Sequence, residues 1–344
     1  MDRAVISDKS PLISIVMACY NCESYIGEAI KSVVNQSYVN WELIIVDDGS
    51  HDESLRVARR WAEKNDRIIV YSLAKNVGQA EARNVGIQNA RGRWVAILDA
   101  DDRWQHDKLQ LQVQQINRKP TAVIFTTDAH VIDKDGNRIG SITMPFKGRL
   151  AKYNLIYSGR FACHSSVVYS AEVIKSVGGF NSRFRRSEDM DLWLRLSEIG
   201  TFVHLPKKLI DYRRHSFNIG NSSDKDYGAI ARVCYYLRKF GGWDLSKSSD
   251  DESWDRFLSW ICVEYENLGR MAFLMQASKY LPTNEVGYSR RKKLIKLMQL
   301  ARKDRSFVVR WFLNKLVMHM EAARLARKWI RYIKSESAYN KSVN

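Results

Sequence analysis

Three acidic clusters stand out in the chain. Asp99, Asp101 and Asp102 follow the apolar run Val95–Leu98; Asp47 and Asp48 follow Trp41–Val46; Glu188, Asp189 and Asp191 open the stretch that runs to Ile199. Carboxylates this dense repel one another unless a cation or a set of donors offsets them. A hard divalent ion does so economically, because Mg2+ or Mn2+ takes one or two protein carboxylates and completes its shell with substrate phosphates. Helix capping is the competing reading. A helix starting near His106 would use Asp102 or Asp107, but capping accounts for one acid and not for the set.

The elements that must position these acids follow from the hydrophobic pattern. Leu12–Ala18, Trp41–Val46, Arg67–Leu73 and Arg93–Leu98 read as strands, the continuous apolar runs among them as strands buried on both faces. Between them, Glu23–Gln36, a segment through Lys64 capped by Ser50 or Asp52, and Gly78–Ala90 read as helices, the last stopped by Gly92. Four strand–helix alternations with short connections predict a parallel, doubly wound sheet. Ligands bind beyond the carboxyl ends of such strands, and Ala18–Asn21, Asp47–Ser50 and Asp99–Asp102 all fall there. Beyond this half, Ala122–Thr127, Ala129–Ile132, His164–Tyr169 and Thr201–Leu205 read as strands, Asp135–Asn137 as a tight turn and Glu188–Ile199 as a helix. From Asp224 onward the pattern is mainly helical, over about 224–240, 252–280, 285–304 and 306–333. The boundary is expected near Gly220–Ser223, giving a domain over 11–220 and a helical region over 221–344.

Several chemistries are excluded by absence. No Gly-x-x-x-x-Gly-Lys-Ser/Thr loop and no Gly-x-Gly-x-x-Gly after the first strand occur, so neither a P-loop nor a dinucleotide site is expected. Phosphates would then be met by the metal and by cations such as Arg83. The five cysteines are Cys19, Cys22, Cys163, Cys234 and Cys262. Cys19-x-x-Cys22 lacks the second pair of a zinc site, and no helix opens directly after Cys19. All five read as reduced thiols.

These stretches resemble the family 2 glycosyltransferases of the glycosyltransferase A-type fold. SIVMACYNCESYI (14–26), ELIIVDDGSHDES (42–54), NVGQAEARNVGI (76–87), WVAILDADDRW (94–104), GGFN…SEDMDLWLRL (178–196) and YRRHSFN (212–218) occur in the family's order and at its separations. The resemblance covers about 11–220. It implies a sugar-nucleotide donor, commonly UDP-linked, with Mn2+ or Mg2+. It also implies that Ala18, Tyr20 and Glu23 line the base pocket, that Asp47 bonds the uracil and that Arg83 sits by the nucleotide. Asp99 and Asp101 become the Asp-x-Asp pair, with Asp101 as metal ligand, and His215 completes the metal site. Ala18 departs from the small hydroxyl residue or Pro-Val pair common there. Acids at a helix start are ordinary by themselves, and only the resemblance makes Asp189 the general base, with Glu188 and Asp191 orienting it and Trp193 and Leu194 as core. A Gln-x-x-Arg-Trp motif, carried by processive synthases, is absent, so one sugar per encounter is expected, with inversion.

Charge is unevenly spread. The net charge is +17, and Arg290–Lys334 holds 15 Lys/Arg against Asp304 and Glu321. Phe307–Ile333 reads as a basic amphipathic helix with Trp311 and Trp329 flanked by cations. That pattern suits an anionic membrane surface; packing on the chain's own catalytic domain is the other use. No nucleic-acid motif is seen. No run suits a signal peptide or a membrane span. The expectation is a cytoplasmic enzyme peripherally held at the inner face of the plasma membrane. It would use a saccharide or lipid-diphosphate-linked acceptor in bacterial surface polysaccharide synthesis. Two alternatives compete: a sugar nucleotidyltransferase, which should carry a Gly-rich basic loop where ACYNCESY stands, and a non-catalytic basic binding protein.

Overall fold

The computed structural model describes residues 10–144, 155, 162–184, 186–215, 227–241, 254–255 and 327–328. It divides into two compact units, Met1–Ser223 and Asp224–Asn344.

The first unit alternates strand and helix as the pattern predicts: β1 (Ile13–Cys19), α1 (Ile26–Val34), β2 (Trp41–Asp47), α2 (Ser54–Ala62), β3 (Ile68–Ser72), α3 (Gln79–Asn89) and β4 (Trp94–Ile97). Then come β5 (Arg103–Trp104), α4 (Lys108–Arg118), β6 (Ala122–Ile132), β7 (Arg138–Ile142), a 3-10 turn (His164–Ser166), β8 (Val168–Ser170), α5 (Ala171–Ser176), α6 (Glu188–Ile199) and β9 (Thr201–Arg213). In the second unit α7 (Tyr227–Gly241) is described. Its Ile230, Ala231, Val233 and Cys234 are buried.

The nine described strands form one mixed sheet in the order β3-β2-β1-β4-β8-β6-β9-β5, with β7 added to β6. β1 to β4 are parallel, while β8 runs antiparallel to both β4 and β6. Both faces of β1 are covered, which is why its sequence is continuously apolar. Ile13, Ile15 and Met17 join the core with Ile26, Ala29, Ile30 and Val33 of α1. On the other face Val16 meets α3 at Gly86, where an added Cβ would lie 2.4 Å from Val16 Cγ1. Each fully buried aliphatic side chain here contributes about 1.5–3 kcal/mol.

Register brings the strand tips level. Cys19 pairs with Asp47, and Asp47 with Ser72. Leu98 donates its N–H to Val16 O at 3.1 Å, extending the β1–β4 alignment toward Asp99.

Five expectations are corrected. α2 opens after Glu53, its N-cap residue, with no side-chain cap bond; Asp52 stands one residue further out, its Oδ1 accepting the Ser54 N–H at 3.0 Å, and the Ser50 N–H is held by Asp47. α3 ends at Ala90, which turns to extended backbone two residues before Gly92. Gly92 serves close packing instead: a Cβ there would fall 2.6 Å from Leu12 O. His164–Ser166 is a 3-10 turn, so the strand begins only at Val168. β6 is a single strand, and β9 runs 13 residues and not five. The expected helices over 252–280, 285–304 and 306–333, including the basic tail, lie outside the described residues apart from 254–255 and 327–328. No helix among the described residues is long and apolar enough to cross a membrane.

Candidate active site

The loop after β2 is built by two adjacent acids with different tasks. Asp47 is 1% exposed; its Oδ2 accepts the Ser50 N–H at 3.2 Å, and the Cys19 thiol points at Oδ1 from 3.7 Å. Asp48 faces the other way and takes the N–H groups of Val77 and Gly78 at 2.7 and 2.9 Å. Burial still pushes the Asp48 carboxyl above the usual range, against those two donors. Gly49 (φ 70°) is required here, since a Cβ would sit 2.8 Å from the Lys75 carbonyl carbon. Asp48 and Gly49 thus dock the segment that leads into α3 and Arg83. Around this loop Ala18 is half-buried. Tyr20 is 45% exposed, with its ring edge-on to His51. Glu23 is exposed, and its Oε2 accepts the Glu53 N–H at 2.9 Å.

The acids after β4 separate into three tasks. Asp102, 1% exposed, accepts the Ser165 hydroxyl at 2.5 Å and the Arg213 N–H at 2.8 Å. It therefore ties the 3-10 turn and the end of β9 to this loop and does not cap α4, whose N-cap residue Asp107 makes no side-chain cap bond either. Burial, with the Asp101 and Asp99 charges, drives the Asp102 carboxyl well up. Asp99 meets Arg83 at 2.8 Å. Burial raises its pKa, but the Arg83 charge, with hydrogen bonds from Arg83 and Ser165, outweighs that and holds it low. Asp101 faces His215, with Oδ2 and Nε2 2.9 Å apart.

His215 reaches Asp101 because β9 is long. β5 pairs antiparallel with β9 directly after the acidic loop, matching Arg103 with Asp211 and Trp104 with Ile210. Arg213 then fixes the end of the strand, donating from Nε to Asp101 O (2.8 Å), from Nη1 to Lys134 O (2.9 Å) and from Nη2 to Glu28 (2.7 Å). His215 stacks on Tyr25 at 5.2 Å. A carboxylate oxygen and an imidazole nitrogen suit Mn2+. Adjacent ligands at about 2.0–2.1 Å from an octahedral ion lie about 3 Å apart, so the Asp101–His215 spacing fits two such positions. Among the described residues no group of three or more His, Cys, Asp or Glu gathers that could hold an ion. The remaining positions would fall to ligands from outside that set, such as phosphate oxygens.

Arg83 links this loop to α6. It is 4% exposed, and its guanidinium spans Asp99 and Glu188 (2.6 Å), with Gln79 at 3.3 Å. Protein acids thus take both of its ends. Burial lowers the guanidinium pKa, but Asp99 and Glu188 raise it further than burial lowers it. α6 begins after Ser187, which adopts left-handed backbone (φ 56°) unusual outside glycine. Glu188, Asp189 and Asp191 occupy its first turn, where the helix dipole favours negative charge. Asp189 is half-buried. Burial pushes its carboxyl up to about 7, and the Glu188 charge adds to this, against the Met190 N–H and Arg83. Asp191 is fully buried and pairs with Arg195 at 2.8 Å, which in turn binds Val177 O and Gly179 O. Through Arg195, Asp191 braces the turn before α6. Trp193 and Leu194 are core, Trp193 donating to Tyr169 OH at 2.7 Å.

Sequence reasoning missed Ser165, Arg213 and His164. His164 is buried against Phe180 and Trp193 and lies 3.8 Å from Asp99. Burial, with the Arg83 charge, takes its imidazole down to about 3, so it stays neutral. The His-Ser-Ser triplet was the available signal, since polar residues inside an apolar strand pattern mark a turn with partners.

A parallel β3-β2-β1-β4 half, antiparallel strands beyond it and an Asp-x-Asp turn at the shared edge define a glycosyltransferase A-type fold. S. aureus TarS in complex with UDP-GlcNAc has the same fold, with a TM-score of 0.56 and 16% identity over 93% of this chain and 91% of that one. The Pyrobaculum calidifontis mannosyltransferase PcManGT, in complex with GDP-Man and Mn2+, aligns at 0.52, with 16% identity over 91% of this chain and 87% of its own. The profile of Glycosyl transferase family 2 matches residues 14–178. EpsE of Bacillus subtilis (strain 168), a glycosyltransferase by name, is 35% identical over 198 residues, or 56% of this chain and 69% of its own. Escherichia coli chondroitin synthase is 31% identical over 57% of this chain but only 28% of its own length. The chain belongs to the family 2 glycosyltransferases.

Proposed function

We propose that this glycosyltransferase moves one hexose, with inversion, from a UDP-sugar to a hydroxyl of a saccharide or lipid-diphosphate-linked acceptor in bacterial surface polysaccharide synthesis. The observation that carries the reading is the Arg83 bridge. It joins the Asp99 loop, next to the Asp101–His215 pair, to the helix start that bears Asp189. In this reading the bridge couples the side that receives the donor phosphates to the side that accepts the proton.

Ala18, Tyr20, Glu23 and Asp47 receive the base, and Asp99 and Arg83 stand beside the nucleotide. Asp101 and His215 hold Mn2+ or Mg2+, which when bound opposes the charge growing on the leaving diphosphate and supplies several kcal/mol of stabilisation. Asp189 takes the acceptor proton at its carboxylate oxygen as the acceptor oxygen attacks from the face opposite UDP. A pKa about 7 leaves it ionised enough to act and basic enough to help. The catalytic domain spans 11–220, with 221–344 as a separate helical region. The basic segment 290–334 supports peripheral attachment to an anionic inner membrane face, where a lipid-linked acceptor resides. GDP-linked donors are the second reading, since PcManGT was solved with GDP-Man.

The test is UDP release from a panel of UDP- and GDP-sugars, with and without Mn2+. Release is expected only with a UDP-sugar and metal, and Asp101→Ala is expected to abolish the metal response. Unchanged activity in that variant, or turnover with GDP-mannose alone, rejects the reading.

A further inference from the structure

The cysteine pair at the tip of β1 has a geometry the spacing did not predict. Cys19 and Cys22 are both free thiols, and their sulfurs lie 3.0 Å apart, about 1 Å beyond a disulfide bond length. The two-residue turn between them is closed by Asn21 in left-handed backbone (φ 49°). Its N–H is held by Ser50 Oγ, and the Cys22 N–H by Ser54 Oγ. The sulfurs therefore sit on a clamped turn and face each other without rearrangement.

The two thiols differ in exposure and partner. Cys22 is half-buried, and its carbonyl accepts the Tyr25 and Ile26 N–H groups just ahead of α1. Cys19 is 2% exposed; it accepts a hydrogen bond from Cys22 and donates one to Asp47 Oδ1 at 3.7 Å. The donor chain runs Cys22 to Cys19 to Asp47.

We infer that Cys19 and Cys22 form a reversible disulfide by exchange with a small-molecule disulfide, and that its formation weakens nucleotide binding. The more accessible partner reacts first. The Cys22 thiolate attacks one sulfur of the small disulfide and expels a small thiolate, leaving a mixed disulfide. Cys19 then gives up its proton as its sulfur attacks the Cys22 sulfur and expels the second small thiolate. Both expelled thiolates take up the protons released. The protein loses two hydrogens and two electrons, and the small disulfide gains them as two thiols. Cys19 afterwards has no S–H to give Asp47, and the ring closed across Cys19–Cys22 constrains Tyr20. The consequence for binding rests on the reading of Asp47 and Tyr20 as base-pocket residues; the disulfide itself does not.

The full-length protein is equilibrated in glutathione buffers of rising oxidised fraction, trapped by alkylation and mapped by mass. UDP affinity is measured on the same samples with Mn2+. The expected result is a Cys19–Cys22 peptide lighter by two hydrogens and UDP affinity weaker by about ten-fold, both reversed by reductant. Cys22→Ser is expected to bind UDP like the reduced parent and to ignore oxidised glutathione. Thiols at 19 and 22 that stay fully alkylatable overturn the inference, as does a disulfide that leaves affinity unchanged or an equal response in Cys22→Ser. A reduced protein that does not bind UDP rejects the nucleotide reading alone, because peptide mapping still decides the disulfide.

Discussion

Asp189→Asn should slow sugar transfer by about 10²–10⁴-fold while UDP affinity stays nearly unchanged. The amide keeps the shape of the side chain but cannot accept the acceptor proton. On the first turn of α6 it faces the acceptor in this reading and makes no contact assigned to the nucleotide base, so UDP affinity should hold. The pH profile gives a second readout. Burial first, and then the Glu188 charge, lift Asp189 to about 7. Below that value the carboxyl is protonated and inactive as a base. The kcat/KM profile should therefore rise through an apparent pKa near 7 in the parent and lose that limb in the variant. Glu188→Gln removes the neighbouring charge and should move the limb to lower pH. A variant that keeps both its rate and its rising limb would show that the proton leaves by another route.

Arg83→Met should destabilise the catalytic unit by about 3–5 kcal/mol, because it leaves two acids in place without their shared cation. Glu188, with 4% of its side chain exposed, bears most of this. Asp99 keeps 26% of its side chain in contact with water, so its share is screened. The melting temperature should fall by roughly 10 °C. Adding Glu188→Gln should restore part of the loss by removing the orphaned charge, which a mere packing defect would not allow. Thermal unfolding of the single and double variants measures this. A single variant as stable as the parent, or a double variant additive in its losses, would discard the bridge as a structural element.

How far the sequence could be read depended on burial. β1, β2 and β4 were legible because strands covered on both faces leave no room for alternation. The second half was harder, because its polar residues are buried with distant partners. Asp128 splits the apolar run of β6, which predicts two strands; it stays within one because His204 Nε2 (3.1 Å) and the Met144 N–H (2.9 Å) meet its carboxylate. Pro206-Lys207-Lys208 reads as the end of a strand, yet β9 continues past it by shifting register between Thr127 and Ala129 of β6. The candidate site was legible where acids sit at strand tips. Arg83 reads from the sequence as a cation for phosphates; its bridge was not legible, since Glu188 lies 105 positions away and no spacing rule reaches that far. Asp102 looked like a capping residue for the same reason, its partner Arg213 being 111 positions on.

The length of β9 constrains how this chain can vary. His215 meets Asp101 only because a fixed number of residues separates it from the Thr201 end of β9. Inserting or deleting one residue between Lys208 and Arg213 would slide His215 by about 3.3 Å and turn its ring to the opposite face. The exposed strand β7, attached beside β6, carries no such constraint. Relatives that keep the Asp101–His215 contact should therefore differ in length at β7 and be uniform along β9, so that alignment gaps alone map the part of the molecule whose dimensions are set by chemistry.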